Sequence, residues 1–259
     1  MATCEIIGFR FEYYYKGIIT VDTRDCNYHC LFCFLEKSED YPIFSSVEDF
    51  FTYAPPIENE NWKSNTGLFV ISAESLVRVV KDLMKKQNIK KMRFSSGEIS
   101  LHFKFLLEFI EKFAEQKDDD YKIYIETNGY LFAKHPDWLD ALVPYKDILH
   151  FRVSLKTPSL EKFQALHCSN QRVFEKIREL PDLLEERKLG YHVVYILDYI
   201  DQEDLITIRE IFAEKPNVLE HLELEKIFYY PEIIKRFQDE FRRNPESPIK
   251  KFVKGRFYD

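Results

Sequence analysis

A chain of 259 residues that is 45% hydrophobic, 16% aromatic and 31% charged has ample material for a sizeable core and a polar exterior, so one large domain over 1–259 is expected and a disordered chain is excluded. The net charge of −7 gives no general attraction to nucleic acid or anionic lipid, no run approaches the ~18 apolar residues of a membrane span, and Glu5, Arg10 and Glu12 interrupt any signal-peptide pattern at the start. Five cysteines, three of them at Cys26, Cys30 and Cys33, suit metal or cluster ligation in a reducing compartment better than a disulfide framework, which places the protein in the cytoplasm.

Apolar, β-branched runs alternate with helical patterns along the chain, which is the order of a parallel α/β sheet. A first strand covers Gly17–Asp22, and the cysteine segment follows it at once. Residues 35–67, with Pro42, Pro55 and Pro56, read as a loop insertion carrying a short helix at Val47–Tyr53. Ser72 caps a helix whose apolar face is Leu76, Val79, Val80 and Leu83. The strand Lys91–Ser95 ends in Ser96-Gly97-Glu98, and the next helix carries Phe103, Leu106, Leu107 and Ile110 on one side.

Acidic Asp118–Asp120 lead into a strand Lys122–Glu126 that ends in Thr127-Asn128-Gly129. A short helix near Asp137–Val143 precedes the strand Ile148–Leu155, and helical sequence then runs from Leu160 to Lys188 with breaks near Cys168–Asn170 and at Pro181. Strands Tyr191–Leu197 and His221–Ile227 flank a helix at Gln202–Phe212, and a terminal helix begins at Glu232. About six βα units result, and they predict a partial (β/α)6 TIM-like barrel, open on one side, with its mouth at the strand C-termini. Residues 231–259 carry eight Lys/Arg against five acids, a basic helical extension read as a solvated face rather than a docking arm for nucleic acid or an acidic partner.

The chemistry is concentrated in Cys26-x-x-x-Cys30-x-x-Cys33. An iron-sulfur cubane has four irons, and three thiolates hold three of them while leaving one for a substrate or cofactor. A structural zinc site is the alternative, with His29 as a fourth ligand, but four ligands so close in one loop are cramped for a tetrahedron. The CxxxCxxC pattern resembles that of the radical S-adenosylmethionine (SAM) superfamily. The resemblance implies a [4Fe-4S] cluster on Cys26, Cys30 and Cys33, SAM chelated to the open iron, reductive cleavage to a 5′-deoxyadenosyl radical, and oxygen sensitivity. It also implies that Phe32 packs near the cluster and contacts adenine through its backbone, with Phe34 extending the apolar cover.

Ser95-Ser96-Gly97-Glu98 resembles the superfamily's GGEP motif, with Ser96 for the first glycine and Ile99 for the proline. By that likeness Ser96, Gly97 and Glu98 bind the methionine ammonium of SAM. Glu126-Thr127-Asn128-Gly129 is similar to the ETNG run that follows the third strand in many members, which puts Glu126 and Asn128 in the cavity near SAM or substrate. Ser154 and Lys156 alternate with apolar neighbours, so they share a face of their strand, where the family often has a polar residue touching SAM. Lys156 and the Ser159–Leu166 segment look like those of activating enzymes for glycyl-radical proteins and of related archaeal single-domain members, though the acid that precedes the family's lysine is absent. Lys156 and Asn128 are the candidate catalytic groups.

Cys168 reads as a small buried packing residue before a radical carrier, and Tyr13, Tyr14 and Tyr15 read as core and rim of a strand. The expected protein is a radical SAM enzyme abstracting hydrogen from an unidentified substrate, served by an electron donor such as flavodoxin or ferredoxin. Its substrate class stays open between a small molecule, a protein radical site, a peptide and RNA. The rival from another class is a non-enzymatic zinc or iron-sulfur module that recruits a partner through its basic tail.

Overall fold

The computed structural model describes residues 2–12, 17–33, 35, 43–45, 49, 67–115 and 120–253. Apart from Asp49, the helix expected at Val47–Tyr53 lies outside them, as do Phe34, Tyr13–Tyr15, Asp118, and the end of the basic tail with Lys254 and Arg256. Strand β1 (Thr3–Glu12) pairs antiparallel with β2 (Ile18–Thr23) on one side and with β3 (Phe69–Ser72) on the other. Ser72 accepts from the Ser75 amide at 3.2 Å and so starts α1 (Ala73–Lys86), which buries Leu76, Val77, Val80, Leu83 and Met84. The chain continues through β4 (Lys91–Ser96), a short 3₁₀ turn and α2 (Phe103–Glu115) to β5 (Lys122–Thr127).

Two short helices, α3 (Tyr130–Lys134) and α4 (Pro136–Leu142), lead to β6 (Leu149–Lys156). The long helical segment breaks at both expected places, into α5 (Leu160–Ala165), α6 (Gln171–Ile177) and α7 (Leu180–Glu186), with Pro181 in the first turn of α7, where its missing N–H is harmless. Then come β7 (Gly190–Ile196), α8 (Gln202–Ile211), α9 (Pro216–Glu220), β8 (Glu223–Glu225), α10 (Pro231–Arg243) and α11 (Lys250–Val253).

The eight strands form one sheet in the order β3-β1-β2-β4-β5-β6-β7-β8. From β2 through β8 every neighbouring pair is parallel, which yields the six parallel strands read from the sequence. Among the described residues β3 and β8 stay unjoined edges, so the barrel is partial and open as expected. The antiparallel additions β1 and β3 are absent from the chain-order reading. The last strand is also shorter than His221–Ile227.

Side chains alternate across each strand, so each presents one face to the helices and one to the hollow of the sheet. Phe94, Ile125, Phe151 and Val153 lie on the helix side and are fully buried; Phe94 meets Phe109 of α2 edge-on at 5.0 Å, and Phe151 meets Phe132 of α3 at 5.4 Å. The helix α2 buries Phe105, Leu106, Phe109, Ile110 and Phe113, a face rotated from the expected one. On the hollow side Asp22, Arg93, Glu126 and Arg152 replace apolar residues. Buried charges persist only when paired, and here they are paired across strands: Arg10 Nη2 with Asp22 at 2.7 Å, Arg93 with Glu12 and Glu126, Arg152 with Glu126 and, at 2.7 Å, with Glu223.

Candidate active site

At Thr23 the chain leaves the C-terminal edge of the sheet and enters the cysteine loop. Gly97, just past β4, lies beneath the start of that loop: a Cβ there would stand 2.5 Å from the Asp25 carbonyl oxygen and 2.7 Å from the Thr23 hydroxyl. Only glycine permits this approach. It lets the Glu98 amide donate to the Asp25 carbonyl at 2.6 Å, so the end of β4 carries the cysteine loop directly. Ser96 takes a left-handed φ of 74°, and its hydroxyl donates to Asp22 on the neighbouring strand.

Glu98 is 1% exposed and has both carboxylate oxygens engaged. Oε1 accepts from the Ser100 hydroxyl at 2.6 Å, the Ser100 amide at 3.2 Å and the Thr127 hydroxyl at 2.8 Å, while Oε2 accepts from the Asn128 amide at 2.6 Å. The motifs after β4 and β5 are thereby joined through one buried carboxyl. Asn128 in turn donates from Nδ2 to Asn27 Oδ1 at 2.7 Å, with Cys26 Sγ 4.0 Å away, and its Oδ1 accepts from the Tyr130 amide at 3.1 Å. Gly129 at φ 82° completes the turn into α3.

Within the loop the Tyr28 amide donates to Cys26 Sγ at 3.4 Å and the Cys33 amide to the Cys30 carbonyl at 3.1 Å. Burial pushes the Cys26 thiol up to about 12, assisted by the charge of Glu98 and then by Cys30 and Cys33. Burial and the neighbouring Cys30 also push Cys33 up, while Lys156 and Arg236 pull it down. Cys26 and Cys33, which resist ionisation partly because of the neighbouring Cys30, are relieved when cations take the place of their protons. Among the described residues no three His, Cys, Asp or Glu side chains converge on the position of a single metal ion. A cubane sets each thiolate on its own iron, and this donor set of three thiols on one short loop fits that group.

Lys156 ends β6 at a break in the β6–β7 register and holds a left-handed φ of 70°. The regular alternation expected to align it with Ser154 stops at this bulge. Its ammonium lies 5.6 Å from the Phe32 ring centre, and Phe32 packs against Tyr199 at 6.1 Å. Burial disfavours the Lys156 charge, but Cys30, Cys168, Glu225 and Glu126 outweigh it and raise its pKa above the usual lysine value. Ser154 is buried on β6, in register with Val194. Glu126 is committed to Arg152, Arg93 and the Ser95 hydroxyl, the last at 2.8 Å; burial opposes its charge, yet Arg152 and Arg93 hold the carboxyl down at about 2.

The structure therefore brings Cys26, Cys30, Cys33, Phe32, Asn128 and Lys156 together around the loop, with Gly97 and Glu98 beneath it. Ser96 and Glu126 are held by charges of the hollow face. In the basic tail Lys235, Arg242, Arg243 and Lys251 are exposed, as expected of a solvated face. Arg236 departs from that reading: its Nη2 donates to the Cys33 carbonyl, while the apolar side of α10 buries Ile233 and Phe237. Thr127, Ser100, Asn27 and Arg152 also serve the site and were missed. Thr127 and Ser100 adjoin motif residues and Arg152 alternates with Ser154, so local inspection could have found them; Arg236 has no local signal.

A family model described as the radical SAM superfamily matches residues 20–213. No curated protein matches the chain. Among solved structures, native anSMEcpe with bound AdoMet is 16% identical at a TM-score of 0.51, covering 85% of this chain and 59% of that one. Spore photoproduct lyase complexed with dinucleoside spore photoproduct is 14% identical at 0.51, covering 86% and 59%. The SeMet-labelled apo form of OxsB, a cobalamin-dependent S-adenosylmethionine radical enzyme, is 11% identical at 0.52, covering 88% and 36%. The chain thus spans less than two thirds of the length of these structures, and the likeness is one of fold.

Proposed function

The chain belongs to the radical SAM superfamily, and on that premise we propose that it is an enzyme using a [4Fe-4S] cluster to cleave SAM reductively and abstract hydrogen from a substrate. The observation that carries this reading is the position of Cys26, Cys30 and Cys33 on the loop leaving the first parallel strand, at the sheet edge where barrel enzymes assemble their sites. Family membership, matched over residues 20–213, supports it.

In this proposal the three cysteines are the cluster ligands. Phe32 covers the loop on its apolar side and excludes water. Asn128 binds at the rim beside Cys26, its amide oriented by Asn27 and its backbone by Glu98. Glu98 is 1% exposed and already accepts four hydrogen bonds from its own chain, so it positions Asn128 and the cysteine loop rather than presenting an acceptor to SAM. Ser96 and Gly97 set the backbone on which that arrangement rests. Lys156 and Ser154 present a cation and a hydroxyl from β6, and Glu126 holds the arginines of the hollow face in place. A reductant such as flavodoxin or ferredoxin supplies the electron, and the working compartment is the cytoplasm. No helix among the described residues is long and apolar enough to cross a membrane.

Anaerobic reconstitution with iron and sulfide, then addition of dithionite and SAM, tests the reading. The expected products are 5′-deoxyadenosine and methionine, and Cys30→Ala should lose the cluster's visible absorbance. A protein that carries an intact cluster but makes no 5′-deoxyadenosine is not this enzyme. Binding of zinc in place of a cluster would point to the non-enzymatic module.

A further inference from the structure

Cys168 stands outside the ligand motif, yet its Sγ lies 3.5 Å from Cys30 Sγ although the two are 138 positions apart. The backbone holds it there. The Leu31 amide, next to Cys30, donates to the Leu166 carbonyl at 3.0 Å, and the Cys168 amide donates to the Phe163 carbonyl at 3.2 Å. His167 takes a left-handed φ of 55° to turn the chain between α5 and α6 back toward the loop. Cys168 is 2% exposed, so no water competes for its S–H. The Lys156 ammonium stands over the same loop, 5.6 Å from the ring centre of Phe32, two residues from Cys30.

We propose that Cys168 is a positioning residue for the cluster: its S–H donates a hydrogen bond to the Cys30 sulfur and, together with Lys156, stabilises the negative charge gained on reduction. This rests on the reading of Cys30 as a cluster thiolate. A ligating cysteine has given up its proton, so of the two sulfurs only Cys168 has one to donate. Thiolates of one cubane sit on different irons, so a sulfur in contact with that of Cys30 cannot serve a second iron unless the pair separates. Hydrogen bonds to ligand sulfurs and nearby charge set the potentials of iron-sulfur clusters. In a solvent-excluded pocket such a bond to a charged acceptor has its full effect. The consequence is a higher reduction potential and an easier first electron.

The test is an EPR-monitored redox titration of the reconstituted full chain as wild type, Cys168→Ala and Cys168→Ser, with iron and sulfide counted in each. Cys168→Ala should keep its iron but show about a tenfold lower ratio of reduced to oxidised cluster at a fixed poise, which for one electron is ~59 mV. Cys168→Ser retains a donor and should stay close to wild type. An unchanged midpoint in Cys168→Ala overturns the inference, and so does an equal fall in both variants, which would mark packing rather than donation. Loss of the cluster from both variants, with wild type loaded, would instead make Cys168 a ligand and overturn its positioning role. If wild type itself assembles no cluster, the ligand reading of Cys26, Cys30 and Cys33 fails, and this inference falls with it.

Discussion

The Asn128 amide donates to Glu98 Oε2 at 2.6 Å, so the turn after β5 hangs from the carboxyl of a residue at the end of β4 whose backbone amide is bonded to the cysteine loop. Both oxygens of Glu98 face donors. In Glu98→Gln the amide must aim its own N–H groups at one of those donor sets and leave a buried group unsatisfied, at about 1–3 kcal/mol. Urea denaturation of the cluster-free protein should show that loss. Stability equal to wild type would mean that the carboxyl is not the tie described.

Gly97→Ala places a methyl group 2.5 Å from the Asp25 carbonyl, a backbone atom that moves only with the loop. Overpacking of this kind costs about 1–3 kcal/mol. The displaced loop should also hold less iron after reconstitution, measured against protein concentration. Full iron content and an unchanged melting temperature in the Gly97→Ala variant would show that the loop does not rest on Gly97.

Lys156 offers a separable test of backbone strain, because its φ of 70° is one an L-residue holds at about 1–2 kcal/mol. Lys156→Gly and Lys156→Ala both remove the ammonium, but only glycine relieves the backbone. The glycine variant should therefore be the more stable of the two by about that amount in denaturant melts. Both should cleave SAM poorly if the cation serves the site.

Glu126 links the hollow-face charges to pH. Arg152 and Arg93 overcome the effect of burial and hold its carboxyl at about 2, against an ordinary 4.5. The unfolded chain therefore takes up a proton over that interval while the folded chain does not. The stabilisation is present above pH 4.5 and is lost as pH falls toward about 2. Glu126→Gln should be less stable at neutral pH and should show a shallower loss of stability across this window, followed by circular dichroism.

Arg236→Ala removes the guanidinium that α10 places on the Cys33 carbonyl. A hydrogen bond from a charged donor is worth about 1.5–3 kcal/mol. The variant should give up iron to a chelator faster than wild type, with little change in the circular dichroism of the helices.

The parallel strands, the helix breaks at Cys168–Asn170 and Pro181, and the candidate ligands Cys26, Cys30 and Cys33 were legible because each depends on neighbours in sequence. A strand declares itself by β-branched runs, a break by proline or a cap, and a ligand triad by spacing along one loop. Strand β3, only four residues long, was not legible, because a strand of that length owes its existence to pairing with β1. The left-handed Lys156 was not legible for a similar reason: a bulge is a mismatch between two strands and belongs to neither sequence alone.

The sequence by itself determined the order of the βα units, the loop that carries the cysteines and the motifs at successive strand ends, since short-range periodicity and residue type suffice for those. Only the tertiary structure decided what each motif residue touches: Glu98 saturated by Ser100, Thr127 and Asn128, Glu126 locked to Arg152, Arg236 brought onto Cys33 from 203 positions away, and Cys168 set against Cys30. The physical reason is that hydrogen bonds and ion pairs reach only a few ångströms, and which groups come that close is settled by how the sheet curves and where its helices pack.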